Sequence, residues 1–284
     1  MKIIVSSFYK YVKINKLGEF QKNHLEFCNK LGIKGKVLVA KEGINSSISG
    51  TKDQIEKYKE GLRKNKLFRD IKFKDTLTEV HPFRKTIVRI RKEIVTSGLK
   101  VNLKNKGTYI SPAELNKLIE KNKDLVLVDA RNNYESKIGK FKKAITPNIE
   151  LFREFKNIIP NLKKFKDKKI VTYCTGGVRC EKASAFLKEN GFNNVFQLEE
   201  GILNYISQFP DKHFSGRCFV FDNRMSIPSG SKNSEISFCE LCHVPSSRYV
   251  NCRNMSCDKM FLCCTECSKD MKGACSKKCL AKAF

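Results

Sequence analysis

The sequence lacks several features that membrane proteins and common redox enzymes need. No apolar run approaches the roughly 18 residues of a membrane-spanning helix, and the N-terminal stretch is too short and polar for a signal peptide. There are only four histidines, and none has the spacing of a two-histidine, one-carboxylate iron site. The dinucleotide-binding pattern G-x-G-x-x-G is absent, and there is no flavin, nicotinamide or haem motif. We therefore expect a cytoplasmic chain without a membrane partner.

Acidic residues are the second deficit, with 29 Asp and Glu against 56 Lys and Arg and a formal net charge of +27. Such an excess favours a polyanionic partner, above all nucleic acid. The alternative explanation of the charge is that the source organism uses lysine heavily in all its proteins, which would raise the surface lysine content of each of them. Basic residues cluster around a predicted strand, Ile87–Arg91, whose alternation would place two arginines on one face. A solvated edge strand with no RNA partner would also explain this basic cluster. The candidate RNA contacts are Arg84, Lys85, Arg89, Arg91 and Lys92.

Cysteine is abundant, and the most informative one is Cys174. It lies where a predicted strand, Lys169–Tyr173, turns into a predicted helix, Glu181–Glu189. Backbone N–H groups of such a turn converge on the sulfur and lower the thiol pKa below its free value of about 8.5. Arg179 adds a fixed positive charge. The remaining residues of the loop, which we expect to support the thiolate, are Thr175, Gly176, Gly177 and Val178.

The loop length distinguishes two kinds of chemistry. Four residues separate Cys174 from Arg179, whereas cysteine phosphatases use a loop one residue longer to hold a phosphate. The shorter loop resembles that of the rhodanese (sulfurtransferase) family, whose ring of amides fits one sulfur atom carried as a persulfide. A buried cysteine beside a glycine turn is the alternative interpretation.

Three further residues are candidates for the same site. Cys180 is close enough in sequence to resolve a persulfide or sulfenate at Cys174 as a disulfide, or it only packs at the helix start. Asp129 and Arg131 end a neighbouring predicted strand. They brace the loop through a charge-assisted bond, or they form a purely structural pair.

The order of predicted elements indicates a multidomain α/β protein. Residues 1–96 follow the order β-α-β-β-α-β of a ferredoxin-like α/β sandwich, a fold that commonly hosts RNA or ligand binding. Residues 97–110 form a glycine- and lysine-rich linker. Residues 111–212 alternate β and α and predict a parallel sheet, with Cys174 at a strand's C-terminal end. Residues 213–284 form a cysteine-rich region.

Nine of the 13 cysteines lie after residue 238. In an intracellular protein this density argues against a disulfide scaffold. Eight thiols in four pairs suit two structural zinc sites of four thiolates each, and free or redox thiols are the alternative. Which pairs share a site stays open, and His243 and Cys263 are alternative ligands. The predicted ligands are Cys239, Cys242, Cys252, Cys257, Cys264, Cys267, Cys275 and Cys279.

Several segments together point to one family. They are the stretches 35–45, 82–95, 129–135, 173–184 and 220–224, which begin with Gly35-Lys-Val-Leu-Val, Pro82-Phe-Arg-Lys, Asp129-Ala-Arg, Tyr173-Cys-Thr-Gly-Gly and Val220-Phe-Asp-Asn-Arg. Over nearly its whole length the chain resembles the rhodanese-domain tRNA uridine(34) hydroxylase family. One departure concerns rhodaneses in general, which usually carry two glycines where this chain has Glu200-Gly201.

The resemblance implies a rhodanese-like fold for residues 111–212 and an oxygen-dependent conversion of wobble uridine to 5-hydroxyuridine. It further implies tRNA, through its anticodon region, as the partner, molecular oxygen as co-substrate and Cys174 as the essential cysteine. Two other classes remain open. One is a sulfurtransferase that carries sulfane sulfur as a Cys174 persulfide, and the other is a non-catalytic RNA- or protein-binding module.

Overall fold

The N-terminal part of the chain is a five-stranded sheet covered by two helices. In the computed structural model, which describes residues 2–121, 124–231 and 235–282, the strands come in the order β4-β1-β3-β2-β5. The elements are β1 (Ile3–Tyr11), α1 (Leu17–Lys30), β2 (Lys34–Ala40), β3 (Gly43–Gly50), α2 (Lys52–Lys64), β4 (Lys74–Thr78) and β5 (Thr86–Ile90). The first six follow the order β-α-β-β-α-β, so the predicted ferredoxin-like arrangement is confirmed. Strand β5 adds a parallel edge strand beside β2.

Local sequence explains where these elements begin and what they bury. Helix α2 starts at a capping box, in which Gln54 N–H donates to Thr51 Oγ1 and Thr51 N–H donates to Gln54 Oε1. Its apolar residues Ile55 and Tyr58 are fully buried against the sheet, where Phe8 contributes from β1. The amphipathic helices therefore cover one face of the sheet, as their spacing predicts.

The central part is a parallel sheet of four strands in the order β6-β10-β9-β7. Apolar clusters cover both of its faces, which explains why its strands are short apolar runs. The elements are β6 (Thr108–Ile110), α3 (Pro112–Lys121), β7 (Leu125–Asp129), α4 (Asn133–Ile138), β8 (Gly139–Phe141), α5 (Ile159–Leu162), β9 (Lys169–Tyr173), α6 (Val178–Glu189), β10 (Val195–Leu198) and α7 (Gly201–Gln208). Strand β6 is formed by residues that the sequence placed in the connector.

The C-terminal part continues the central one before it becomes cysteine-rich. Its first strand pairs with β8 and with the next strand in a small antiparallel sheet. The elements are β11 (Phe214–Phe219), β12 (Ser226–Pro228), β13 (Tyr249–Asn251), β14 (Met260–Leu262), α8 (Thr265–Asp270) and α9 (Lys277–Lys282). Across the described ranges, we find no helix with the length and apolar character needed to cross a membrane.

The N-terminal and central sheets meet at helix α6. Lys182 of α6 is almost fully buried, and its ammonium lies 3.0 Å from Glu42 and 2.7 Å from Glu93 of the N-terminal part. Two tyrosines at the end of β1 contact the start of the same helix: Tyr9 Oη donates to Glu181 Oε1 and Tyr11 Oη donates to the Val178 carbonyl. This interface places the end of β1 directly beside the loop that precedes α6.

Candidate active site

The loop between β9 and α6 curls around the sulfur of Cys174. Gly177 adopts φ of +97°, in the left-handed region that favours glycine, and its N–H donates to Cys174 Sγ at 3.1 Å. A β-carbon on Gly177 would lie only 3.0 Å from Tyr9 Oη. Glycine is therefore needed there both for the backbone conformation and for the close approach of β1.

The surroundings of Cys174 favour a thiolate. Burial alone would raise its pKa, but a hydrogen bond from the Cys180 thiol, the charge of Arg179 and the backbone N–H groups of Arg179 and Gly177 outweigh burial. Together they lower the pKa of Cys174 to about 6. A pKa of about 6 favours the thiolate at neutral pH, held at the N-terminus of α6.

Arg179 is anchored by a carboxylate that sequence reasoning missed. Its guanidinium forms two hydrogen bonds with Glu135, at 2.5 and 2.6 Å, and both side chains are buried. Thr175 Oγ1 donates to the same carboxylate at 3.2 Å. Burial alone would raise the pKa of Glu135, but the adjacent Arg179 lowers it, so the carboxylate stays charged. The available signal was the helix-start pattern from Asn132 to Glu135.

Asp129 and Arg131 pair with each other behind this arrangement. The Arg131 guanidinium contacts both carboxylate oxygens of Asp129, at 2.9 and 2.7 Å, and donates to the Gly139 carbonyl at 2.6 Å. Both side chains are fully buried. The pair ties the end of β7 to β8, and the direct brace on the loop is Glu135.

Cys180 lies in the first turn of α6 and is fully buried beside Cys174. Burial raises its pKa well above the ordinary value, as does the hydrogen bond that it donates to the Cys174 sulfur. Cys180 is therefore a neutral thiol next to a thiolate, an arrangement that permits disulfide chemistry as well as simple packing.

Residues of the N-terminal sheet cover the glycines of the loop. A β-carbon on Gly176 would lie 3.8 Å from Cε of Lys74, and the Lys74 ammonium lies 5.3 Å from the centre of the Tyr9 ring. Cys174 itself is 0 % exposed. A substrate can reach the sulfur only after neighbouring side chains move.

Two cavities flank this cover, with volumes of about 450 and 320 Å³. Lys74 and Glu200 line both cavities, and the smaller one also exposes Tyr9, Tyr11 and Tyr109. These residues were not predicted as site residues, because contacts between separate parts of a chain leave no spacing signal.

The candidate RNA contacts lie elsewhere on the surface. Arg84, Lys85, Arg89, Arg91 and Lys92 are all exposed. Only Arg89 lies within β5; Arg84 and Lys85 precede that edge strand, and Arg91 and Lys92 follow it. None of the five lines either cavity.

The eight predicted cysteine ligands form two groups of four sulfurs, and the pairs interleave. The first pair, Cys239 and Cys242, joins Cys264 and Cys267; the second pair, Cys252 and Cys257, joins Cys275 and Cys279. Within the described residues, His243 and Cys263 belong to neither group.

The sulfur geometry fits tetrahedral zinc. A tetrahedron with zinc–sulfur bonds of about 2.3 Å has sulfur–sulfur edges of about 3.8 Å. Sγ atoms are 3.6 Å apart between Cys242 and Cys264, and 3.7 Å apart between Cys257 and Cys275. Backbone N–H groups also point at two of the sulfurs: Cys267 N–H at Cys264 and Cys275 N–H at Cys252.

Three family models match consecutive parts of the chain. They are described as a UPF0176 acylphosphatase like domain at residues 3–94, a Rhodanese-like domain at residues 111–208 and a Rhodanase C-terminal region at residues 215–280.

The chain is similar to curated proteins over nearly its full length. A protein of Onion yellows phytoplasma named tRNA uridine(34) hydroxylase is 39% identical, with 97% of this chain and 92% of that protein covered. The chain belongs to the tRNA uridine(34) hydroxylase family. Relatives of the same name from Cytophaga hutchinsonii and Legionella pneumophila are 40% and 44% identical, over 96% and 79% of this chain and 88% and 90% of those proteins.

Solved structures of other proteins that resemble this member of the hydroxylase family match less than half of its chain. A rhodanese-like domain protein from Staphylococcus aureus is 28% identical, with a TM-score of 0.29, over 34% of this chain and 90% of that structure.

Proposed function

We propose that this protein hydroxylates the wobble uridine of tRNA, position 34, at carbon 5, with Cys174 as the essential nucleophile. The observation that carries the proposal is the buried thiolate loop at the junction of two α/β parts. Support comes from relatives about 40% identical over nearly the whole chain, each named tRNA uridine(34) hydroxylase. None of these names favours the sulfurtransferase alternative.

Cys174 has a chemical role available in this reaction. A thiolate adds to C6 of uracil, the electron pair of the C5=C6 bond moves towards C5 and O4, and C5 becomes electron-rich. Molecular oxygen then supplies one atom to C5 while its other atom leaves as water, with two electrons from an external reductant. Loss of the C5 proton and of the thiolate restores the double bond. If a peroxide oxidises the free Cys174 thiolate to a sulfenic acid, the Cys180 thiol condenses with it, water leaves and a disulfide forms.

The tRNA partner fits the charge of the chain. The exposed basic residues at and around β5 are the proposed phosphate contacts, and the wobble base must be splayed out of the anticodon to reach the cavities beside the loop. The two cysteine groups are proposed as structural zinc sites, because their sulfur geometry suits the ion and the surrounding segment has little apolar core of its own.

Nucleoside mass spectrometry of tRNA tests the proposal. A strain from which the gene has been deleted is complemented with a plasmid copy of it. With the wild-type copy its tRNA should contain 5-hydroxyuridine-derived nucleosides, and with the Cys174→Ser copy it should not. The matched control is Cys28→Ser, which changes a buried cysteine on helix α1 of the N-terminal part. Retained modification in the Cys174→Ser strain would refute the assigned role.

A further inference from the structure

Two opposite charges face the space beside the cysteine loop, and the reaction scheme above uses neither. They are Lys74, at the start of β4, and Glu200, immediately before α7. Both line the larger and the smaller cavity. A molecule that enters from either side therefore meets both side chains.

The Lys74 side chain is buried and, among the described residues, forms no direct salt bridge. Burial lowers the pKa of its ammonium, and the nearby negative charges of Glu200 and Cys174 partly offset that effect. The residue is 8% exposed, and within the described chain its ammonium forms no ion pair or hydrogen bond and lies over the ring of Tyr9. A buried ammonium that has lost its water is costly unless an acceptor compensates it. Its Cε lies 3.8 Å from where a β-carbon of Gly176 would be, so the side chain ends beside the cysteine loop.

Glu200 is held in a conformation that most residues avoid. Its φ is +59°, in the left-handed region that favours glycine. Its Cα lies 3.5 Å from where a β-carbon of Gly177 would be. In the part of the chain that the structure describes, its carboxylate has no hydrogen bond or ion pair. Strained backbone of this kind clusters at functional sites, and here it presents a carboxylate to both cavities.

We propose that Lys74 and Glu200 read the Watson–Crick edge of the splayed uracil. The ammonium donates to O4 and the carboxylate accepts from N3–H. Cytosine presents the opposite pattern, an amino donor at C4 and an acceptor at N3, so both contacts would be unfavourable. This inference rests on the proposed function and adds two residues that select the base.

Lys74 has a second consequence for the chemistry. When the Cys174 thiolate forms its bond to C6, the electron pair of the C5=C6 bond is delocalised onto C5 and O4. An ammonium at O4 stabilises the negative charge that develops there more than it stabilises the neutral base. Lys74 is therefore a catalytic residue as well as a selective one.

The test uses synthetic anticodon stem-loop RNAs with uridine or cytidine at position 34. Binding is measured without oxygen, and single-turnover hydroxylation of the uridine RNA is measured with oxygen and reductant. We expect Glu200→Gly to lower the preference for uridine over cytidine by about tenfold or more. Its melting temperature should stay unchanged or rise, because glycine relieves the left-handed strain.

Lys74→Gln should lower the hydroxylation rate by about a hundredfold and RNA affinity by a smaller factor, since the donor stabilises the charge that develops at O4 more than it stabilises the neutral base. Lys74→Arg should restore part of the rate. The controls are Lys57→Gln and Asp53→Asn, which alter an exposed ion pair on α2 whose residues line neither cavity. Both controls should keep the wild-type preference and rate.

The outcomes separate this inference from the function on which it rests. If wild-type protein does not hydroxylate the uridine RNA, the proposed function fails. If wild-type protein hydroxylates it, but Glu200→Gly keeps the base preference and Lys74→Gln keeps the rate, the assigned recognition is overturned.

Discussion

Arg179 and Glu135 form a bidentate ion pair that is almost completely buried. Arg179 also lies close enough to Cys174 for its charge to lower the pKa of the thiol. One guanidinium thus fastens the helix start to α4 and favours the thiolate.

Replacement of Glu135 by Gln should therefore destabilise the fold strongly. Loss of the carboxylate leaves a buried, unpaired guanidinium, which costs about 3–5 kcal/mol. Urea unfolding measures this directly. The control is Glu240→Gln, which breaks the more exposed pairs with Lys137 and Lys259 and should cost at most about 1 kcal/mol. An equal, small effect of both variants would contradict the role given to Glu135.

The thiolate at residue 174 should titrate near pH 6. Its folded-state pKa is depressed to about 6, so the stability that it contributes is present above the unfolded pKa of about 8.5 and is lost as pH falls through about 6. Hydroxylation should fall over the same acidic range. The measurement is the ultraviolet thiolate absorbance of wild type minus that of Cys174→Ser, followed as a function of pH. A titration midpoint near the free-thiol pKa would contradict the lowered pKa of Cys174.

Cys180 should influence that titration. Cys180→Ala removes a hydrogen bond that the thiolate accepts, so the midpoint of the Cys174 titration should move to higher pH. The same difference spectrum reports the shift. Cys218→Ala, which alters a buried cysteine of β11, is the control and should leave the midpoint in place. A midpoint that stays in place in Cys180→Ala would remove Cys180 from the site.

Each cysteine group should hold one zinc ion. Cys242→Ser and Cys257→Ser, which alter different groups, should each lower the zinc content, and a strong chelator should unfold the C-terminal region of the wild type. Cys263→Ser is the control, because that cysteine lies outside both groups. The measurement is the zinc content of the purified proteins. A full zinc content in Cys242→Ser would count against a zinc site at the group that contains Cys242.

Charge reversal at Arg89, Arg91 and Lys92 should weaken tRNA binding and flatten its salt dependence. Each lost phosphate contact lowers the slope of log affinity against log salt by about 0.7–0.9. Binding titrations at several salt concentrations measure the slope. The control reverses three exposed lysines elsewhere, Lys104, Lys117 and Lys121. Equal losses in the two triple variants would show that the surface near β5 has no special role.

Much of the fold was readable from local pattern. Periodicity and turn residues predicted the N-terminal order of elements, the parallel sheet and the loop at Cys174, because these depend on neighbours in sequence. Strand β6 was missed because three residues in a lysine-rich connector carry almost no alternation.

The candidate site was predicted only in part, for the same reason. The cysteine loop is one continuous motif, whereas Lys74 and Tyr9 reach it from another sheet. Glu135 acts across a chain separation that no spacing rule covers. The sequence also left the grouping of the cysteine pairs open, because interleaved and consecutive pairings share the same spacings.

That interleaving links the two cysteine groups through the path of the chain. When Cys239 and Cys242 meet Cys264 and Cys267, they enclose Cys252 and Cys257 in a closed loop. Assembly of one group thus shortens the effective span that the other must close and reduces its entropic cost. When zinc is added at half the amount needed to fill both groups, we expect a mixture of empty and doubly filled chains, with few chains that carry a single ion.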